Sequence, residues 1–167
     1  GNNGGDGFGA ARWLQNYGAK VRVFVVGKAL EAVTGDAAAE LAMLQKTDAK
    51  VEAIASEDDW LLAELAAAKA DLLLDALAGT GFHGELEGEI LRACKLLNES
   101  EKYIVAVDVP TGVNADNGAV AENAVRADKT VTMALLKTGL LLYPGREYCG
   151  DIELADIGMP AKMVDEC

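Results

Sequence analysis

A chain of 167 residues, 51% hydrophobic and 25% charged, has the length of one ordinary domain, and a domain of about 150 residues buries roughly 70% of its unfolded surface without help from disulfides. Its apolar residues are scattered as Ala, Val and Leu among charges, so no run approaches the roughly 18 residues of a membrane span, and the chain reads as water-soluble. With 27 acidic against 15 basic residues and a net charge of −12 it repels polyanions, which argues against nucleic acid as a partner; a small phosphate ligand stays admissible, because backbone N–H groups bind it whatever the net charge.

The chain opens with Gly1-Asn2-Asn3-Gly4-Gly5-Asp6-Gly7, which reads as a ligand-contacting loop. Glycines there permit φ > 0 and close backbone approach, and Asn and Asp supply oxygen ligands and helix caps. Ala10, Trp13, Leu14 and Tyr17 then repeat at i, i+3, i+4, i+7, predicting an amphipathic helix over 8–17 whose N-terminus favours phosphate. The alternative is a tight turn with Asp6 capping the helix. A glycine loop of this kind normally follows a strand; none precedes Gly1, so the chain reads as one domain over 1–167, cut before its first strand.

Further along, strand and helix alternate: strand 20–26, helix 36–45, strand 50–55, helix 57–68, strand 71–77, helix 87–98, strand 103–107, then strands 127–133 and 150–154. Continuous rather than alternating apolar strands suit a parallel sheet covered on both faces. The expectation is an α/β protein with a three-layer, Rossmann-like, doubly wound and mostly parallel sheet. Such sheets bind ligands beyond the carboxyl ends of their strands, where the 1–7, 78–88 and 108–118 loops converge.

Gly79-Thr80-Gly81-Phe82-His83-Gly84 is a literal G-x-G-x-x-G, and Asp108 closes the next strand, so on this segment alone a dehydrogenase is a competing reading. Asp75 lies near the end of an apolar strand, where an unpaired carboxylate would cost several kcal/mol. Either a cation, with Asn3 and Thr111 as companion ligands, or backbone N–H groups must satisfy it. Asp108-Val109-Pro110-Thr111-Gly112 ends a strand in a turn; the carboxylate projects into the crevice for acid/base work or caps the turn. Lys137 reads as a solvated lysine or a phosphate neutraliser, and His83 as a loop residue. Cys94, Cys149 and Cys167 are dispersed and unpaired, which fits a reducing, cytoplasmic compartment.

Taken together the segments resemble the NAD(P)H-hydrate epimerase family, the YjeF N-terminal-type domain. The resemblance rests on residues 1–8, on Asp75-Ala76-Leu77-Ala78-Gly79-Thr80-Gly81-Phe82 with Gly84-Glu85-Leu86, and on residues 106–116. It extends through Ala127-Asp128-Lys129-Thr130-Val131-Thr132, Lys137-Thr138-Gly139-Leu140, Tyr143-Pro144-Gly145 and Asp156-Ile157-Gly158-Met159-Pro160, all in family order. Thr111 stands where the family has Ser and keeps the hydroxyl; Met133 stands where an aromatic is common.

The resemblance implies an isomerase of metabolite repair that interconverts the R and S epimers of hydrated NADH or NADPH (NADHX and NADPHX). It implies nucleotide-binding contacts to this NAD or NADP derivative from Asn2, Asn3, Gly4, Gly5 and Asp6, from Gly79, Thr80, Gly81, Phe82, His83, Gly84 and Glu85, and from Asp108. It further implies a potassium ion at a metal-binding site of Asn3, Asp75 and Thr111; for the reaction itself, the chemistry at C6 makes Asp108 the expected catalytic residue, shuttling the proton as general acid and base. An ADP- or ATP-dependent NAD(P)H-hydrate dehydratase, fused or separate, is the implied partner, and a homodimer fits the family. A silent nucleotide-binding or scaffold module on the same fold is the alternative.

Overall fold

The computed structural model describes residues 2–158. Gly1 and the segment from Met159 and Pro160 to Cys167, part of the family resemblance among them, lie outside the described residues. In chain order the elements are α1 (Asn2–Asn16), β1 (Arg22–Val25), α2 (Asp36–Leu44), β2 (Lys50–Ala53), α3 (Glu57–Lys69), β3 (Leu72–Asp75), α4 (Gly88–Glu99), β4 (Tyr103–Val107), β5 (Lys129–Met133) and β6 (Asp151–Ala155). Short 3-10 turns occupy Leu30–Ala32, Thr138–Leu140 and Gly145–Tyr148.

The strand–helix alternation is as the sequence reads. The strands, however, form two sheets rather than one: β1 pairs with β2, and β3, β4, β5 and β6 follow one another in a second sheet. Every named pair is parallel. Hydrophobic runs identify strands but not their neighbours, so the split was invisible in the pattern.

Helices nevertheless cover both faces of the β1 layer. Val23 and Val25 face one core with Phe8, Ala11, Leu41 and Leu44 of α1 and α2, whereas Phe24 and Val26 join Trp60, Ala63 and Ala93 of α3 and α4. Leu77, just past β3, belongs to that second cluster and to a third with Cys94, Ile104 and Ala106, so the two sheets share a continuous core.

Local chemistry sets the ends. Ser56 opens α3 reciprocally: its Oγ accepts from Asp59 N–H at 3.3 Å and donates to Asp59 Oδ2 at 2.7 Å, and three acids in the first turn meet the helix dipole. β3 stops at Asp75, short of the expected residue 77, because Leu77 N–H turns back to Asp75 Oδ1 at 3.2 Å and leaves the ladder.

Candidate active site

The main correction lies at the start of the chain. The glycine-rich segment is not a loop: α1 already runs from Asn2, and among its glycines none adopts positive φ. They serve close approach instead. A Cβ on Gly5 would lie 3.1 Å from Ala37 Cα of α2, and one on Gly7 would lie 2.5 Å from Ala76 Cβ, just past β3. Asp6 sits inside the helix, so it is no cap. The N–H groups of the first turn still have no intrahelical acceptor, and they present the positive end of the dipole at this rim.

Asn3 is buried, yet among the described residues neither its Oδ1 nor its Nδ2 has a hydrogen-bond partner. Its side chain abuts Gly79, where a Cβ would come within 3.0 Å of Asn3 Cγ; Gly79 is needed for that contact. Asp75 is wholly buried and accepts three hydrogen bonds: Leu77 N–H at 3.2 Å and Thr111 Oγ1 at 2.7 Å on Oδ1, and Thr111 N–H at 2.8 Å on Oδ2. None of these donors is charged. Burial therefore pushes the Asp75 carboxyl above its ordinary value, with the Thr111 and Leu77 hydrogen bonds acting in the opposite direction. Thr111 Oγ1 in turn accepts from Ala78 N–H at 3.0 Å, so β3, the 78–85 loop and the loop after β4 are tied at one point.

Asp108 follows β4 at φ 68°, a left-handed conformation that is uncommon for a non-glycine residue and that lifts the carboxylate off the sheet. Its Oδ1 accepts from Thr132 Oγ1 at 3.2 Å, Met133 N–H at 3.2 Å and the Lys137 ammonium. Lys137 also donates to Thr132 Oγ1 at 3.0 Å and Met133 O at 2.7 Å. It is therefore neither a solvated lysine nor a free phosphate neutraliser. The signal available in sequence was its place four residues beyond Met133, close enough to fold back onto the strand end. Burial, then the charges of Asp108 and Glu40, raise the Asp6 carboxyl against the opposing pull of Lys137.

The other expected contacts are unevenly placed. Thr80, Gly81, His83, Gly84 and Glu85 are exposed, and His83 Nδ1 lies 2.9 Å from Asn114 Nδ2. Phe82 points inward to the core around Leu86 and Cys94, so its ring packs and only its backbone faces the loop. Asn2 is exposed and Gly4 lies against Ala76 O. α4 starts at Gly88, four residues past Gly84, so the G-x-G-x-x-G run does not open a helix as a dinucleotide fingerprint requires. The dehydrogenase reading loses its geometric basis.

Comparison with known proteins agrees with this arrangement. Residues 1–139 match the family described as YjeF-related protein N-terminus. The chain is 42% identical, over 98% of its length, to the Bifunctional NAD(P)H-hydrate repair enzyme Nnr of Moorella thermoacetica, and covers 31% of that protein. It is 37% identical, over 99% of its length, to the NAD(P)H-hydrate epimerase of Pirellula staleyi, of which it covers 73%. The crystal structure of yeast ynu0 shares the fold, with a TM-score of 0.80 at 23% identity over 99% of this chain and 67% of that one. The chain thus spans about a third of the bifunctional relatives and nearly three quarters of the single-function one. Through its matched domain and this relative, the chain belongs to the NAD(P)H-hydrate epimerase family.

Proposed function

We propose that the chain epimerises hydrated NADH and NADPH, with Asp108 as general acid and base. The observation that carries this reading is a carboxylate just past β4 anchored through one oxygen, on a sheet against which the first turns of α1 pack, Gly7 abutting Ala76 just past β3. In the hydrate, the ring nitrogen beside C6 pushes its lone pair toward that carbon as the C6–O bond breaks. Asp108 donates the proton with which the oxygen leaves as water. Water then adds to the opposite face, the electron pair returns to nitrogen, and the proton released restores the acid. The α1 N–H groups and the Gly79–Glu85 segment bind the dinucleotide phosphates and hold the ring against Asp108.

The donor set also fits potassium. Asn3, Asp75 and Thr111 offer one carboxylate and neutral oxygens, and the unpartnered Asn3 amide is the group such an ion would satisfy. A bound cation supplies fixed positive charge that neutralises Asp75. The bifunctional repair relatives support a dehydratase as partner, fused or separate. A cytoplasmic setting goes with free Cys94 and Cys149, whose thiols burial pushes up to about 12 and about 11.

The test supplies pure R-epimer of hydrated NADH with potassium and follows the S form by chromatography. Acceleration over the spontaneous rate is expected, and its loss in Asp108→Asn with an unchanged circular-dichroism spectrum. Near-normal turnover by that variant would reject the role of Asp108.

A further inference from the structure

We infer that Lys137 is a positioning residue for the epimerisation: its ammonium holds Asp108 Oδ1 so that Oδ2 is the oxygen that gives and takes the proton. The inference rests on the role of Asp108 proposed above and deepens it.

Three donors, Thr132 Oγ1, Met133 N–H and Lys137 Nζ, converge on Oδ1. Among the described residues none donates to Oδ2, and Oδ2 is not one of the buried unpaired atoms. The carboxylate is thus saturated on one oxygen and open on the other. Lys137 is equally committed, since its three ammonium protons meet Asp108 Oδ1, Thr132 Oγ1 and Met133 O. Rotation of Asp108 about its side-chain bonds would break all three of its contacts at once.

The backbone holds Lys137 in turn. It precedes the 3-10 turn Thr138–Leu140, and Gly139 N–H donates to Ala115 O at 2.7 Å. A Cβ on Gly139 would fall 2.0 Å from Asn114 O, so only glycine lets the segment sit this close to the loop after β4. The Lys-Thr-Gly-Leu motif therefore acquires a physical role: the glycine seats the segment and the lysine aims the acid.

The reaction has a use for this arrangement. When Oδ2 releases its proton to the departing hydroxyl, a negative charge appears on the carboxylate, and the adjacent ammonium stabilises it. When water returns, the proton comes back to the same oxygen, and no net charge or electron is left over. The charges that act on this group are the Lys137 ammonium, which touches it, and the Asp6 carboxyl of α1, which Asp108 and Glu40 of α2 raise and Lys137 lowers.

The experiment compares Lys137→Ala, Lys137→Arg and Asp108→Asn with the unaltered protein, measuring kcat and KM for epimerisation beside thermal melting. For Lys137→Ala the expected result is a fall in kcat of about 100-fold, the scale of one acid–base contribution, at unchanged KM, with partial recovery in added ethylammonium. Wild-type kcat in Lys137→Ala, a loss confined to KM, or no recovery by ethylammonium in a folded variant would overturn the assignment. Should Lys137→Ala not fold, Lys137→Arg decides: its planar fork cannot reproduce three converging contacts, so lowered kcat at unchanged KM is expected and unchanged kcat overturns. An inactive Asp108→Asn beside a fully active Lys137→Ala removes the role of Lys137 alone; a fully active Asp108→Asn removes the reading beneath it.

Discussion

Glycine in a helix interior costs about 1 kcal/mol against alanine, so Gly7→Ala would stabilise α1 if the helix stood alone. It does not stand alone: the added methyl would meet Ala76 Cβ at 2.5 Å, and both atoms sit on backbone with no flexible end to move away. Overpacking of this kind costs about 1–3 kcal/mol, which outweighs the propensity gain. Gly7→Ala is therefore expected to lower the urea midpoint with an unchanged slope, and a raised midpoint would show that α1 shifts freely on β3. The same competition hides the helix in the sequence. Six residues of low helix propensity look like a loop, and only tertiary contact with Ala37 and Ala76 shows that they are a helix thinned for close approach. Asp75 was legible in part: the sequence showed that it needed partners, and backbone N–H groups of Leu77 and Thr111 with the Thr111 hydroxyl supply them. The anchoring of Asp108 was not legible, because it depends on a lysine brought back across the end of β5.

The parallel β1–β2 pair carries one ion pair whose worth can be isolated. Arg22 donates through Nε to Glu52 Oε2 at 2.7 Å and through a terminal nitrogen to Oε1 at 3.1 Å, while its guanidinium lies 5.1 Å over the Phe24 ring. The hydrogen bond to Arg22 holds the Glu52 carboxyl below its ordinary value. A carboxyl depressed in the folded state contributes stability above its unfolded pKa and loses it as pH falls through the folded one. Both side chains are about a third exposed, so a double-mutant cycle with Arg22→Met and Glu52→Gln should give about 0.5 kcal/mol at pH 7. The coupling should vanish in acid once Glu52 is protonated; a coupling that persists there would mean packing on Phe24, not charge, joins the strands. At this scale the elements are legible in the sequence. Each strand and each long helix was recognisable from its hydrophobic period, usually within two residues, because burial on a face is a local signal. Strand adjacency is not local, which is why two sheets replaced the expected single one.

Across the whole molecule, the candidate site draws on elements distant in the chain: Asn3 comes from α1, Asp75 from the end of β3 and Thr111 from the loop after β4. No helix among the described residues is long and apolar enough to cross a membrane. A potassium ion bridging these three residues would tie α1 to the second sheet and neutralise a carboxylate that is otherwise held by uncharged donors alone. Any ligand that binds only the folded state stabilises it by RT ln(1 + [L]/Kd), about 2.7 kcal/mol at a hundredfold excess over Kd. The thermal midpoint should therefore climb with potassium chloride and stay flat in choline chloride of the same ionic strength. Asn3→Ala and Asp75→Asn should each abolish the difference, although Asp75→Asn, by removing a buried charge, need not lower the midpoint in choline. That asymmetry separates ion binding from general packing damage: a variant that melts lower in both salts but keeps its response to potassium has lost structure, not a ligand. Equal melting of the unaltered protein in the two salts would take the ion out of the site and leave the Asn3 amide to the substrate.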